Sequence, residues 1–229
     1  MREIIKNYVG SCRMDIKCIL TVPDEYNEHF DKKLYPAIVF LHRAGEQGSG
    51  LDDIKKAGIH HYLKKKGIPF VIISPQCPEG IFWDVHFKEI ETILQTMINN
   101  NYHIDEERIH LIGIGLGAYG VWNFAIQKPE MFASIVPIAG GVMFPKYLSR
   151  VKDIPAWVFH GEKDEIVPVE ESLKAIDSFK KAGGIVKQTI IKDVGHELCD
   201  IVFENEELYT WLLEQRKTSS RPSLVSVGG

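Results

Sequence analysis

The stretch IHLIGIGLGAYG, residues 109–120, decides the fold of this chain. It joins an apolar strand to a glycine-packed turn and then to a helix that begins near Leu116. A strand, turn and helix in this order form the setting of the G-x-S-x-G motif, in which a sharp turn presents a nucleophilic serine. Gly115 occupies the position of that serine. The stretch therefore predicts a nucleophile elbow from which the nucleophile is missing.

Length and composition favour one soluble α/β domain. The chain has 229 residues, of which 45% are hydrophobic and 25% are charged. These values are ordinary for a globular protein with a large buried core. A net charge of −4 argues against a nucleic-acid partner. We expect a single domain over residues 1–217 and a disordered tail over residues 218–229, which are rich in serine and glycine.

Membrane, metal and redox classes are not indicated by the sequence. Charged residues interrupt the first turns of the chain, and no segment approaches the about 18 apolar residues that cross a bilayer. The four cysteines form no C-x-x-C pair, which argues against a zinc site or a thioredoxin-type motif. We therefore expect a cytoplasmic protein with reduced thiols, no metal and no membrane partner. The basic run 64–66 is interpreted as the solvated end of a helix.

Short β-rich runs alternate with helical patterns from about residue 36 onward. This alternation predicts a mainly parallel central sheet with helices on both faces, and apolar residues at period two before Val22 predict an antiparallel start. The predicted strands are 36–42, 70–74, 108–112, 134–139, 156–160 and 186–192, and the predicted helices are 87–98, 116–128, 169–182 and 204–216. Only residues 140–153 are available for an insertion, so we expect no large lid.

Two residues after the later strands supply an acid and a base in the order that a hydrolase of this architecture needs. Asp164 follows a buried strand in the loop 160–168, where a carboxylate can orient an imidazole and stabilise its cation. His196 follows the last strand, where it can act as a general base. Each residue alone is a weak signal, but their spacing, strand context and flanking glycines agree.

The loop after the first long parallel strand has the sequence HRAGEQG, residues 42–48. In folds with a nucleophile elbow, this loop donates one backbone N–H to the developing oxyanion, and the residue after the nucleophile donates the other. We therefore predict that Ala44 and Leu116 are the two oxyanion donors.

Together these segments resemble the α/β-hydrolase superfamily, specifically the phospholipase/carboxylesterase branch close to dienelactone hydrolases, feruloyl-esterase-like proteins and predicted peptidases. The matching pieces are Tyr35-Pro36, the loop 42–48, the run SPQCP at 74–78, the elbow, the H-G-x-x-D-x-x-V-P loop and Gly195-His196. The resemblance implies an α/β-hydrolase fold. It also implies hydrolysis of small-molecule carboxylic esters through a Ser-Asp-His triad without a cofactor. Gly115, Asp164 and His196 occupy the triad positions.

Several side chains are candidates for substrate binding. Arg43 stands where the family has a glycine; it either closes the pocket, brings a cation to an acidic substrate, or faces solvent. Trp83, Phe144 and Leu198, together with Phe82 and Met143, either wall an apolar pocket or belong to the core, since such residues fill protein interiors by default.

Gly115 leaves the activity of the chain open. Without a nucleophile the acyl-enzyme route is closed, so we expect an inactive or very weak esterase. Three explanations compete: a replacement introduced to hold an ester uncleaved, a natural relative that binds a ligand without catalysis, and a reshaped site that uses water. A distant alternative is an oxidoreductase, because residues 113–118 also fit the dinucleotide fingerprint G-x-G-x-x-A. The next predicted strand ends in Gly140-Gly141, without the acid that holds a ribose.

Overall fold

The computed structural model of the chain describes residues 1–9, 15–26, 33–48, 50–56, 59–60, 62, 67, 69–83, 87–99 and 102–217. Cys12, the basic run 64–66 and the serine- and glycine-rich residues 218–229 lie outside the described residues. What the sequence predicts for them stays a prediction.

The described residues form strands and helices that alternate along most of the chain. The strands are β1 (Arg2–Val9), β2 (Asp15–Val22), β3 (Tyr35–Leu41), β4 (Val71–Pro75), β5 (Ile104–Ile114), β6 (Ser134–Ile138), β7 (Ala156–Gly161) and β8 (Val186–Ile191). The helices are α1 (Leu51–Lys56), α2 (Phe87–Asn99), α3 (Leu116–Gln127), α4 (Val169–Lys181), α5 (Cys199–Glu204) and α6 (Glu206–Glu214).

One sheet contains these eight strands in the order β1-β2-β4-β3-β5-β6-β7-β8. The pairings of β1 with β2 and of β2 with β4 are antiparallel, and every pairing from β4 across to β8 is parallel. The predicted mainly parallel sheet is confirmed. The carboxyl ends of β3, β5, β7 and β8 therefore meet at one edge, which is where open α/β sheets bind ligands.

Helices cover both faces of the sheet because its central strands are apolar on both sides. Along β3, alternate side chains enter two different hydrophobic clusters: Val39 and Leu41 point into one, and Ile38 and Phe40 into the other. The first cluster contains buried side chains of α2, α3 and α4, and the second contains those of α1, α5 and α6. Burial on both faces is typical of parallel sheets and accounts for their continuous hydrophobic runs.

The main differences from the predicted elements concern the last helices and β5. The predicted helix 204–216 is observed as α6, over 206–214, and the helix α5 before it was not predicted. Asn205 ends α5, and its side chain accepts the backbone N–H of Glu207 at 3.0 Å to begin α6. Strand β5 begins at Ile104, earlier than predicted, where it pairs with Tyr35 before the register shifts. Residues 140–153 contain only a short 3-10 helix, Pro145–Val151. Within the part of the chain that the structure describes, no helix is long and apolar enough to span a bilayer.

Candidate active site

The elbow lies between the end of β5 and the start of α3. Gly115 has φ 53° and ψ −114°, a backbone conformation that residues with a side chain rarely adopt. Its N–H donates to the carbonyl of Ile138 at 2.9 Å, and its carbonyl accepts the N–H of Ala118 at 3.0 Å. A side chain at Gly117 would meet the backbone carbonyl of Leu41. The turn is therefore pressed tightly against β3 and β6, and its glycines permit that approach.

Asp164 and His196 meet beside this turn. His196 Nδ1 lies 2.7 Å from Asp164 Oδ2, and the other carboxylate oxygen accepts the N–H groups of Ile166 and Val167 at 2.9 Å and 2.8 Å. Burial raises the pKa of Asp164, but the hydrogen bonds from Val167, His196 and Ile166 outweigh it and hold that pKa below its usual value. The carboxylate is thus ionised, and it fixes the orientation of the imidazole.

The imidazole of His196 faces the position that a side chain at Gly115 would occupy. A Cβ built on Gly115 would lie 3.3 Å from His196 Nε2 and 3.5 Å from its Cε1. The hydroxyl of a serine at this place would come within hydrogen-bonding reach of Nε2. The structure therefore brings together all three residues that the sequence placed in the triad positions.

A cavity of about 480 Å³ opens over this arrangement. Gly115, His196 and the two predicted oxyanion donors, Ala44 and Leu116, all line it. Leu116 is the first residue of α3, so its N–H belongs to the free amino end of that helix, which favours a developing negative charge. The remaining lining residues are Arg43, Gly45, Glu46, Asp53, Ile166, Val167 and Glu197.

His42, which the sequence analysis did not single out, holds the loop that carries Ala44. This fully buried side chain accepts the N–H of Cys77 at Nε2, at 2.9 Å, and donates from Nδ1 to the carbonyl of Arg43 at 2.8 Å. Trp83 donates its indole N–H to the carbonyl of His42 at 3.0 Å. Burial lowers the pKa of His42 to about 4, so it is neutral at pH 7. Its position directly after β3 is the one signal in the sequence that could have indicated it.

Arg43 bridges two loops at the cavity. Its Nη1 donates to both carboxylate oxygens of Glu197, at 2.7 Å and 2.6 Å, and its Nε donates to Glu46 at 3.0 Å. Glu46 is buried, whereas the Glu197 side chain is 73% exposed. The guanidinium therefore lines the cavity while paired with two carboxyl groups, and it ties the loop after β3 to the loop that carries His196.

The aromatic and apolar candidates have different surroundings. Trp83 lines a second cavity of about 240 Å³, whose wall is almost entirely apolar and which shares Leu116 with the first cavity. Phe82, Tyr119, Gly120 and Met143 complete this wall. Phe144 precedes the short 3-10 helix and is 41% exposed, outside the residues that line either cavity. Leu198 is fully buried in the hydrophobic cluster below α5 and α6, so the structure places it in the core.

The sheet order, the elbow, and the carboxylate and histidine placed beyond later strands define an α/β hydrolase. The sequence model of the phospholipase/carboxylesterase family matches residues 81–210, more than half of the chain. The chain belongs to this family. The predicted fold class and the predicted family resemblance are thereby confirmed.

Solved structures agree with this assignment. A thermostable esterase is 29% identical and superimposes with a TM-score of 0.83 over 94% of this chain, which spans 63% of that esterase. A ferulic acid esterase, 14% identical, has a TM-score of 0.72 with coverage of 92% of this chain and 98% of that chain. An S-formylglutathione hydrolase from Agrobacterium tumefaciens, 12% identical, has a TM-score of 0.72 with coverage of 93% and 95%. The last two likenesses concern the fold alone. Among curated proteins there is no match.

Proposed function

We propose that this chain carries a carboxylic-ester site that is complete except for its nucleophile. In this site Asp164 orients His196, His196 is the base, and the N–H groups of Ala44 and Leu116 stabilise the oxyanion. The distance of 3.3 Å from His196 Nε2 to the position of a Cβ on Gly115 is the observation that carries this proposal. His196 Nε2 therefore faces the position at which Gly115 has only a hydrogen atom.

Without a serine, the available nucleophile is water. His196 would take a proton from a water molecule, the hydroxide would attack the ester carbon, and Ala44 and Leu116 would stabilise the negative oxygen. The tetrahedral intermediate would then expel the alkoxide, which takes the proton back from His196 to leave an acid and an alcohol. Such a water is held less precisely than a side chain. Removing the nucleophile typically costs about 10⁶-fold in turnover, and about 10³- to 10⁴-fold acceleration over water remains from the oxyanion hole and binding.

The second cavity supports a proposal for the substrate class. An apolar cavity of roughly 150 Å³ holds one benzene ring, so the 240 Å³ beside Leu116 has room for one aryl group or a short alkyl chain. Its walls, Trp83 and Met143 among them, offer dispersion contacts and few polar atoms. We therefore propose a small ester with an aryl or short alkyl group, with neither a nucleic acid nor a membrane as partner.

A second candidate function is binding without catalysis. The observation in its favour is the bridge from Arg43 to Glu197, which joins the two sides of the cavity next to Gly115; the Arg43 Cβ lies 3.7 Å from the position of a Cβ on Gly115. A site of this kind would hold an ester or its acid and release it unchanged.

Hydrolysis of p-nitrophenyl esters by the unaltered chain and by Gly115→Ser separates the two candidates. The serine variant should gain several orders of magnitude in kcat, and Gly115→Ala, which adds the same Cβ without the hydroxyl, should gain none. Background rates in a folded Gly115→Ser protein would contradict the catalytic proposal and favour binding.

A further inference from the structure

A second histidine lies behind the carboxylate of Asp164. His160, near the end of β7, has no exposed surface. Its Nδ1 is 2.6 Å from the hydroxyl of Ser172, and its Nε2 is 2.9 Å from the carbonyl of Val167 and 3.2 Å from Asp164 Oδ2. Ser172 in turn donates its hydroxyl to the carbonyl of Gly140 at 2.6 Å. His160 and His196 therefore approach the same carboxylate oxygen.

The hydrogens of this network can be counted. Carbonyl and carboxylate oxygens only accept, and a serine hydroxyl has one hydrogen to give. The hydrogen of Ser172 goes to Gly140, so the hydrogen between Ser172 and His160 must come from Nδ1. Both neighbours of Nε2 are acceptors, so Nε2 must also carry a hydrogen. We propose that His160 is held as a doubly protonated imidazolium, and that it positions Asp164 through the oxygen that also binds His196.

The other buried histidines of the described chain give a different result. His42 faces one acceptor and one donor, so the same counting leaves it with a single hydrogen. Burial lowers the pKa of His42 and that of His60 to about 4 and that of His110 to about 3. The Glu46 carboxyl group lies 4.0 Å from His42 Nδ1, whereas that of Asp164 lies 3.2 Å from His160 Nε2. A fully buried charge persists where an opposite charge and hydrogen bonds compensate it.

This arrangement affects the site through Asp164. The carboxylate accepts two backbone N–H groups on one oxygen and the N–H of His196 on the other, and His160 Nε2, which also faces the carbonyl of Val167, lies 3.2 Å from that second oxygen. Groups other than His196 therefore also hold the carboxylate of Asp164 in position. The positioning role of His160 rests on the proposed function, whereas its charge does not.

Nitrogen-15 NMR of the unaltered, histidine-labelled chain at neutral pH tests the charge directly. We expect both ring nitrogens of His160 to carry hydrogen and His42, in the same spectrum, to carry hydrogen on Nδ1 alone. A bare nitrogen in His160 would overturn the proposal. In Asp164→Asn, His160 should lose one of its two hydrogens, whereas the exposed control Asp193→Asn should leave both. Retention of both in Asp164→Asn would refute the pairing with the carboxylate.

The positioning role is tested in the Gly115→Ser background. His160→Asn should lower kcat roughly 10-fold or more at unchanged KM, the effect of losing one hydrogen bond to a charged group. The control His110→Asn alters an equally buried histidine away from the site and should leave kcat within about twofold, since such distant changes act independently. An unchanged kcat in His160→Asn would refute the role. If Gly115→Ser has no turnover, the proposed function fails while the NMR result still decides the charge of His160.

Discussion

The backbone of Gly115 predicts that any other residue at the elbow makes the protein less stable. At φ 53° and ψ −114°, a side chain costs about 1–3 kcal/mol of backbone strain. Replacing glycine by alanine returns about 0.4–1 kcal/mol because the unfolded chain becomes less flexible. The new Cβ would also approach His196 Nε2 at 3.3 Å, which requires a small shift of the ring. Gly115→Ala should therefore lower the free energy of unfolding by about 1–2 kcal/mol.

Urea unfolding and thermal melting at neutral pH measure this loss. For a domain of this size each kcal/mol lowers Tm by about 2–4 °C, so a decrease of roughly 2–8 °C is expected. Gly45→Ala is the matched control, because a Cβ there would meet no atom within 4 Å and the backbone φ is not positive. Only the effect on the unfolded chain then remains, so Gly45→Ala should raise the free energy of unfolding by about 0.4–1 kcal/mol. A Gly115→Ala protein as stable as the unaltered chain would refute the reasoning, since a side chain at this positive φ would then cost no strain.

Three further predictions concern pH, the bridge and the apolar cavity. Burial lowers the pKa of His110 to about 3, so the contribution of this neutral histidine to stability is complete above about pH 6.5 and is lost at about 1.4 kcal/mol per pH unit as the pH falls toward 3. In urea unfolding at several pH values, the free energy of unfolding of His110→Asn should therefore depend less steeply on pH than that of the unaltered chain. An equal dependence on pH would contradict the assignment. Glu197→Gln should alter the free energy of unfolding by less than about 1 kcal/mol, since the ion pair of Glu197 with Arg43 is on the exposed side of the cavity. A loss above about 2 kcal/mol in the same assay would contradict this expectation and show that the bridge stabilises the fold. In the Gly115→Ser background, Phe82→Ala should raise KM roughly 2- to 10-fold for an ester with an aryl acyl group and leave KM unchanged for the acetate of the same alcohol. Equal changes for both esters would show that the second cavity does not bind the substrate.

The sequence predicted those features that depend on short-range pattern and strand order. Gly115 follows a strand and precedes a helix within one short stretch, so periodicity and glycine content locate the turn. Asp164 and His196 follow their strands directly, and parallel strands bring their carboxyl ends to one edge. These positions therefore needed no knowledge of long-range contacts.

The features that the sequence did not indicate depend on contacts between distant residues. The bridge between Arg43 and Glu197 joins residues 154 positions apart, and no local pattern pairs them. The hydrogen bond of His160 with Ser172 follows from how α4 packs on β7. Leu198 lies two residues after His196, and only the packing of α5 and α6 decides that it enters the core. The start of α6 was placed two residues early, although the Asn205 side chain that caps this helix is a local signal.

The absence of a side chain at Gly115 also determines how this protein responds to reagents that label active-site serines. Fluorophosphonates and related inhibitors mark hydrolases by forming a bond to the active-site serine oxygen, and the elbow of this chain offers them no oxygen. A survey that detects hydrolases by such labels will therefore pass over this chain even though the remaining groups of the site are in place. On the proposed function, no acylation competes with the dissociation of a bound ester, so equilibrium binding measurements on intact esters would be practical with this protein.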